Sequence, residues 1–433
     1  MESITSRGTL TAEKSDYAPY NEYAFKAVFA GFCCLAAGIF TSVGICAGYH
    51  CLMLIPGLWM VWREVKIGNV QAIPRSAWAL LILIGVMAFS NFLNWENMQQ
   101  PLRNTFKLKY FFFGIIGFFG IRWLLRHSQV ERWVKPVTSI FFLSIIASVS
   151  YALFGSMTGY DLKTGLAYDS WRQGGLTGTM RFGYGMGMVL PLLLGLWLRR
   201  HECSKFISFK LLLPAIVLGT AGLFLTQCRG AILAALLASS LVVYLDNPKR
   251  GKILGLLGLS VFLLLPTIII SGAGNTEGES RLSVNRIVSD LQGDERVTIF
   301  HAAFLSIKEN PLTGIGYRQF GGHYGDIKKR YNLKDKEESH PHAHNIFLEI
   351  GASAGILGVI GLIAWLGLWM REMASAGGMT CLIGVPFCVA LIIGGQFEYV
   401  FDANNSFLIF AVYAATIGVV QFDSQDKTAA VAP

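Results

Sequence analysis

The sequence predicts an all-α, polytopic membrane protein with about twelve transmembrane helices and a helical loop domain outside the cytoplasm. Three observations predict this class. Apolar residues make up 53% of the 433-residue chain and charged residues only 15%, whereas a soluble domain is about 25% charged. The apolar residues form runs of roughly 20, the length that crosses a bilayer as a helix. Basic residues cluster between these runs in alternate loops, as in membrane proteins of fixed orientation.

The apolar runs follow one another along the whole chain except for one long hydrophilic segment. The first two runs lie close together, and another neighbouring pair is divided at Arg229. No internal repeat relates one half of the chain to the other, which disfavours a transporter built from two inverted halves. The predicted spans cover residues 24–42, 45–62, 77–95, 109–125, 136–155, 180–198, 206–227, 229–245, 252–272, 345–371, 376–396 and 403–421.

The formal net charge of +9 does not indicate nucleic-acid binding, because the basic residues stand in short clusters between apolar runs. The opposite loops are sparser in Lys and Arg, and the segment 397–402 carries Glu398 and Asp402 with neither. One basic loop, with Lys107 at its centre, departs from this alternation. The charge pattern therefore predicts a cytoplasmic N-terminus. The predicted cytoplasmic clusters are Arg63, Lys66 and Arg75; Arg122, Arg126, Arg132 and Lys135; Arg199, Arg200, Lys205 and Lys210; Lys249, Arg250 and Lys252; and Arg371.

One long hydrophilic segment, residues 273–343, divides the chain and is predicted to lie outside the cytoplasm. Residues 1–272 are expected to hold the first nine spans, and residues 344–433 the last three with a cytoplasmic tail. Helical periodicity predicts a helix over 294–308, and a second, charged helix is predicted over 323–337. The segment is therefore expected to form a small helical domain on the membrane surface.

Cysteine and histidine patterns do not predict a metal site or a disulfide framework. The eight cysteines lie mostly in or beside apolar runs, and no two form a C-x-x-C pair. Buried, unreactive thiols are therefore expected. His340, His342 and His344 alternate ahead of an apolar helix, a spacing that does not match H-E-x-x-H geometry. Neither a metal nor any other cofactor is predicted.

Ionisable residues at the edges of spans are candidates for function, since an Arg at the bilayer centre costs about 2.5–3.5 kcal/mol. Four of them are predicted to share the outer face. Arg181 starts one span, Arg229 breaks two others apart, Arg296 lies on the loop helix, and His344 opens a span after the loop. Guanidinium groups bind phosphate with a two-pronged fork, and histidine transfers protons near neutral pH. This combination indicates a site for a phosphate-bearing substrate.

Each candidate also has a structural interpretation that the sequence leaves open. Arg229 and Arg181 could be helix-end arginines that reach lipid headgroups. Arg296 could be a solvated charge at a helix start, and His344 a structural histidine. Glu349, further along the helix that His344 opens, could pair with an arginine or orient His344. The functional interpretation is favoured because the four charges share one membrane face.

Three stretches together resemble the family of bacterial O-antigen ligases. His344-Asn345, followed nine residues later by Gly-Ile-Leu-Gly-Val at 355–359, is similar to the family's His-Asn signature. Gln-Cys-Arg-Gly-Ala at 227–231 resembles its Ser-Arg-Gly element, with Cys in place of the more usual Ser. Glu295-Arg296 and the later Asn-Pro-Leu-Thr-Gly-Ile-Gly resemble the arginine helix and the glycine-rich turn that precede the signature. The order and spacing of these motifs indicate the ligase–polymerase superfamily.

The resemblance implies a GT-C-like, membrane-embedded glycosyltransferase that inverts configuration and needs no metal. Its donor would be O-antigen polysaccharide on undecaprenyl pyrophosphate, and its acceptor a sugar hydroxyl of lipid A–core. The site would face the periplasm at the bacterial inner membrane, among membrane lipids. By this resemblance His344 would be catalytic, and Arg229 and Arg296 would engage the pyrophosphate. Arg181, on the same predicted face, is expected to join them.

The sequence also suggests supporting residues for the site and alternative activities for the protein. Asn345 and Glu349 are predicted to support the site, and Asp402, Asn404 and Asn405 could line the same cavity. O-antigen polymerases and protein O-oligosaccharyltransferases share these motifs and are the main alternatives. A polysaccharide or lipid transporter is a third alternative from another class.

Overall fold

The computed structural model describes residues 18–66, 73–127, 130–165, 174–249, 295–334 and 337–429, and these residues are all-α. This confirms the all-α class expected from the sequence. The α-helices of the described residues, numbered in chain order, are α1 Ala18–Gly38, α2 Val43–Lys66, α3 Arg75–Leu93, α4 Pro101–Phe106, α5 Lys109–His127, α6 Val130–Thr158, α7 Thr179–Leu198, α8 Phe209–Leu225, α9 Arg229–Asp246, α10 Glu295–Glu309, α11 Phe320–Arg330, α12 Ile346–Ala376, α13 Gly378–Gly394 and α14 Ala403–Ala429.

Within the described residues, 7 helices are long and apolar enough to cross a membrane. Three shorter apolar helices, Phe209–Leu225, Gly378–Gly394 and Asn404–Val420, accompany them. The chain is therefore a polytopic membrane protein, while a total of about twelve spans stays a prediction. The predicted span 252–272 lies outside the described residues. The long apolar helices are Val43–Arg63, Arg75–Leu93, Pro101–Leu125, Arg132–Thr158, Thr179–Leu198, Arg229–Asp246 and Ile346–Ala376.

The predicted break at Arg229 is present between α8 and α9. Helix α8 ends at Leu225, and α9 begins at Arg229. Gln227 in the break has a left-handed φ of 52°, and Cys228 is extended with φ −82° and ψ 91°. The backbone therefore turns sharply here, which places Arg229 at the very start of α9.

Helices α7, α9 and α13 pack against one another, and this three-helix group supports the candidate site. Glycines let the backbones come close, as is common between membrane helices. A Cβ added at Gly187 of α7 would lie 2.8 Å from the carbonyl oxygen of Ala231 in α9. A Cβ at Gly394 of α13 would lie 3.2 Å from the ring of Tyr184 in α7. Elsewhere α5 packs on α14, and α3 packs on α12.

The described part of the predicted loop domain is helical. Helix α10, Glu295–Glu309, matches the helix predicted over 294–308. Helix α11 ends at Arg330, before the predicted end at 337, because Asn332 adopts a left-handed φ of 50°. Buried apolar residues from α10, α11 and α12 form one cluster, so this domain packs on the start of α12. The cluster includes Ile299, Ala302, Ala303, Phe320, Tyr324, Ala343 and Ala352.

Helix α12 is kinked at Gly355, and the loop between α10 and α11 fills the kink. Gly355 has φ 66° and ψ −164°, a conformation essentially restricted to glycine. The N–H of Ile315 donates to the carbonyl of Ala352 at 2.9 Å, and the N–H of Ile356 donates to the carbonyl of Pro311 at 2.8 Å. The loop thus satisfies backbone groups that the kink releases, as a broken membrane helix requires. The two glycine-rich stretches of the sequence, 310–316 and 355–359, therefore contact each other.

Candidate active site

Two histidines and a glutamate lie close together between the start of α12 and the segment after α13. The Nδ1 atom of His344 lies 3.2 Å from Oε2 of Glu398. The Nε2 atom of His342 lies 3.2 Å from Oε1 of the same carboxylate. Glu398 is 6% exposed, and its Oε1 also accepts the N–H of Tyr399 at 3.0 Å. Both oxygens of this buried carboxylate are therefore occupied by donors from the protein.

The hydrogen-bond pattern assigns the ring protons of both histidines. An ionised carboxylate can only accept, so Nδ1 of His344 donates to Glu398. The Nδ1 atom of His342 lies 3.4 Å from the backbone N–H of His344 and accepts it. In its neutral form His344 therefore carries its lone pair on Nε2. That nitrogen is the one that can accept a proton from a substrate.

For both Glu398 and His342, burial and the neighbouring charges shift the pKa in opposite directions. Burial alone would raise the pKa of Glu398, but the hydrogen bond from His344 and the charges of the two imidazoles lower the pKa below its usual value. Glu398 is therefore a carboxylate at neutral pH. Burial lowers the pKa of His342 to about 4, although Glu398 opposes this shift. His342 is therefore neutral at pH 7 and acts as a hydrogen-bonding group rather than a charge.

The start of α12 holds His344 in an uncommon backbone conformation. Its φ is 49°, in the left-handed region that non-glycine residues seldom adopt. Asn345 caps the helix, because its Oδ1 accepts the N–H groups of Phe347 and Leu348 at 2.9 and 3.1 Å. The Nδ2 atom of Asn345 donates to Oε1 of Gln396 at 3.1 Å. Asn345 thus ties the start of α12 to the segment after α13, which supplies the carboxylate partner of the histidine.

Glu349 supports the backbone rather than the imidazole ring. It is 1% exposed, and its Oε2 accepts the N–H of Ala343 at 2.8 Å. This bond fixes the residue immediately before His344. Glu398 bonds to the imidazole ring of His344, whereas Glu349 bonds to the backbone of the preceding residue.

Arg229 lies beside this cluster at the start of α9. A Cβ added at Gly230 would lie 2.7 Å from the Cβ of Phe397, so a glycine is needed where the two segments touch. Phe397 directly precedes Glu398 in the chain. Arg229 itself is half-buried. The glycine contact therefore brings the guanidinium-bearing end of α9 to the segment that carries the cluster.

Arg181 lies at the same end of the bundle, near the start of α7. Its Nε is 2.6 Å from Oδ2 of Asp402, which directly precedes α14. The Arg181 side chain is 47% exposed. The starts of α7 and α9 touch, since the Sγ of Cys228 lies 3.8 Å from the carbonyl oxygen of Thr179. Arg181 is therefore near Arg229, with its charge compensated by an aspartate.

Arg296 lies on the adjoining loop domain, as the second residue of α10, and is half-buried. Helix α10 packs along α12, and Ile299 and Ala303 share the apolar cluster that contains Ala343. Arg296 is therefore connected to His344 through the packing of its helix. Arg229 and Arg181 lie instead at the touching starts of α9 and α7.

Two residues of the site were not singled out in the sequence. Glu398 entered the sequence argument only as a loop charge, and Arg318 not at all. The Cζ atom of Arg318 lies 5.6 Å from the centroid of the Tyr399 ring, and the hydroxyl of Tyr399 lies 3.0 Å from that of Tyr317. Each of the two residues stands next to a tyrosine in a segment without helical periodicity, so the sequence offers only a weak signal for them.

The same cluster could hold a metal ion. His342, His344 and Glu398 offer ligand atoms that all lie within 4.8 Å of one another. Imidazole and carboxylate donors of this kind suit zinc. The histidine spacing did not predict such a site, because the third group comes from a distant segment. A hydrogen bond from His344 to Glu398, with His342 3.2 Å from the same carboxylate, accounts for this geometry without an ion.

Comparison with known proteins agrees with the motifs. Residues 214–363 match the model of a family described as O-antigen ligase. Over 239 residues the chain is 29% identical to an O-antigen ligase of Salmonella typhimurium, covering 50% of this chain and 54% of that protein. The chain thus spans about half the length of the curated relative it matches. The resemblance to the O-antigen ligase family expected from the motifs is confirmed.

Proposed function

We propose that the chain belongs to the O-antigen ligase superfamily, whose family model matches residues 214–363, and that it transfers O-antigen polysaccharide from undecaprenyl pyrophosphate to lipid A–core. We propose further that the site faces the periplasm at the bacterial inner membrane. The observation that carries the proposal is the pair of His344 and Glu398, with the Nδ1–O distance of 3.2 Å. It leaves the lone pair of Nε2 for a substrate hydroxyl, at an end of the bundle that also carries arginines.

In this proposal His344 is the general base. As the acceptor hydroxyl attacks the anomeric carbon of the donor sugar, its proton passes to Nε2 of His344. A new C–O bond forms, the bond from the anomeric carbon to the pyrophosphate oxygen breaks, and its electron pair leaves with the pyrophosphate. Attack from the face opposite the leaving group inverts the configuration. Glu398 stabilises the positive charge that develops on the imidazole, as the carboxylate of a catalytic triad does.

The arginines would act on the leaving group. Negative charge grows on the pyrophosphate as the glycosidic bond breaks, so fixed positive charges lower the energy of the transition state. Arg229 at the start of α9, Arg296 on α10 and Arg181 on α7 are the proposed contacts. Two or three guanidinium groups can supply this charge without a divalent ion, which is the basis for proposing a metal-independent reaction. Asn345 and Glu349 would keep His344 in place through the backbone.

The lipopolysaccharide profile of a ligase-deficient strain tests the proposal. A strain carrying His344→Ala is expected to lack polymer-bearing lipopolysaccharide and to accumulate undecaprenyl-linked polymer. His201→Ala is the matched control, because His201 is exposed in the turn after α7, away from the start of that helix. Chains of a single repeat in the mutant would instead indicate a polymerase. Normal smooth lipopolysaccharide with His344→Ala would refute the catalytic assignment.

A further inference from the structure

Arg318 stands at the edge of the cluster, outside the motifs on which the family resemblance depends. We infer that its guanidinium binds a phosphate group of the substrate. The inference rests on the proposed function, since it assigns one more contact to a phosphate-bearing lipid substrate. Three observations carry it: the backbone conformation of Arg318, the way the protein holds that backbone, and the surroundings of its side chain.

The backbone of Arg318 is held in a conformation that its residue type disfavours. Its φ is 61°, in the left-handed region. The N–H of Arg318 donates to Oγ of Ser353 at 3.2 Å, beside the kink of α12. The N–H of Tyr317 donates to Oδ1 of Asn91 in α3 at 2.6 Å. Such a conformation persists where the surroundings determine it, and it is found most often at functional sites.

The next residue anchors the loop a third time. The Oε1 atom of Gln319 accepts the N–H of Gln99 at 2.8 Å, and its Nε2 donates to the carbonyl of Gln99 at 3.1 Å. Gln319 is 1% exposed, so these bonds are shielded from water. Residues 317–319 are therefore fixed to α12, to α3 and to the connection after α3. The direction in which the Arg318 side chain leaves the loop is set by the fold.

The Arg318 side chain lies over the residue that follows Glu398. Its Cζ is 5.6 Å from the ring centroid of Tyr399, a cation–π distance. The N–H of Tyr399 in turn donates to Glu398. Arg318 is half-buried, and within the described part of the chain no carboxylate forms an ion pair with it. A guanidinium presents five donors, and the ring contact uses none of them.

Comparison with Arg181 shows why Arg318 is the better anion receptor. Arg181 is 47% exposed and already has a partner, with 2.6 Å between its Nε and Asp402. Arg318 is more enclosed and keeps its positive charge uncompensated by an ion pair. Lys107 lies within electrostatic range of Arg318, as do the carboxylates of Glu349 and Asp402, but neither carboxylate forms an ion pair with Arg318. A half-buried charge that lacks an ion pair is stabilised when an anion binds. Phosphate fits best, because its oxygens match the guanidinium fork.

Phosphate could come from the donor pyrophosphate or from a phosphate on the acceptor lipid. Steady-state kinetics of Arg318→Gln distinguishes these sources. A rise in KM for the undecaprenyl pyrophosphate-linked donor assigns the contact to the donor. A rise confined to KM for lipid A–core assigns it to the acceptor. Unchanged KM for both substrates overturns the inference, as does a loss of kcat alone.

A direct binding measurement completes the test, with geranyl pyrophosphate as the probe and the full chain purified in detergent. Arg318→Gln is expected to weaken binding roughly tenfold to a hundredfold, and Arg318→Lys less, because lysine keeps the charge and loses the fork. Arg330→Gln is the matched control. It removes an equal charge from the end of α11, where Arg330 pairs with Glu309 and is 58% exposed. Binding by Arg318→Gln that equals wild type would count against a donor contact, and with unchanged KM values it refutes the inference.

The two proposals fail in distinguishable ways. If wild-type protein transfers polysaccharide, His344→Ala does not, and Arg318→Gln behaves as wild type, only the inference about Arg318 is wrong. If wild-type protein binds geranyl pyrophosphate through Arg318 but transfers nothing to lipid A–core, the proposed reaction is wrong and the phosphate site stands. Thermal unfolding of each variant in detergent excludes misfolding as the cause of a loss. A destabilised Arg318→Gln with intact phosphate binding would indicate a structural role and refute the inference.

Discussion

Replacing Glu398 with Gln tests how the base is oriented. The carboxylate accepts the Nδ1–H of His344 on Oε2 at 3.2 Å and the N–H of Tyr399 on Oε1 at 3.0 Å. A carboxamide has one accepting oxygen and one NH₂ group, so it cannot accept on both sides. If the NH₂ group faces His344, Nδ1 must accept, and the ring proton moves to Nε2. The lone pair that would take the substrate proton is then lost.

The expected magnitude follows from the role assigned to the histidine. General base catalysis contributes roughly 10²- to 10⁴-fold to a rate. Since each tenfold change equals about 1.4 kcal/mol, Glu398→Gln is expected to raise the activation barrier by about 3–5 kcal/mol. The assay is kcat for transfer from undecaprenyl pyrophosphate-linked polymer to purified lipid A–core. KM for the donor and the melting temperature should change little, because the substitution is isosteric.

Glu309→Gln is the matched control for this measurement. Glu309 is also a hydrogen-bonded acid, but it lies at the end of α10 and bonds to Arg330 and Tyr331. Its replacement is expected to leave kcat unchanged. A Glu398→Gln enzyme within about threefold of the wild-type kcat would show that the carboxylate does not set the state of His344.

Four further outcomes are expected. Gly355→Ala should destabilise the protein by roughly 1–3 kcal/mol in thermal unfolding, because φ is 66° and a Cβ would lie 2.5 Å from the carbonyl oxygen of Leu312. Its control is Gly367→Ala in the same helix, where an added Cβ meets nothing within 4 Å, so this change should be neutral or stabilising. His342, with its pKa lowered by burial to about 4 from 6.5, stays neutral in the folded state while the unfolded chain takes up a proton, so stability should fall as pH drops from 6.5 towards 4, by up to about 3 kcal/mol. His342→Gln should remove that slope, and an unchanged slope would contradict the assignment. Arg229→Lys should lower kcat about tenfold or more, since lysine lacks the bidentate fork, whereas full activity would argue against a geometric clamp. Excess chelator should leave transfer by the purified protein unchanged, and a loss restored by zinc would refute the metal-free mechanism.

Local sequence patterns are enough to predict the class of the protein and the ends of many helices. Hydropathy is a local property, because a run of roughly 20 apolar residues can cross a bilayer whatever its neighbours are. The break at Arg229 and the helix from Glu295 are likewise predicted from short windows of sequence. The motifs around His344 and Arg229 also led to the family, since they are contiguous. These features can be predicted because they depend only on residues that are close together in the chain.

The groups that contact His344, by contrast, depend on tertiary packing. His344 and Glu398 are 54 positions apart in the chain, and their contact depends on how the start of α12 docks against the segment after α13. Arg318 reaches Tyr399 because a glycine-rich loop fits the kink at Gly355, a match between two segments that no periodicity reveals. The direction of a side chain at a helix start depends on one or two backbone angles, and these are set by packing. The partners and protonation of His344 and the position of Arg318 therefore follow from the fold rather than from any local pattern.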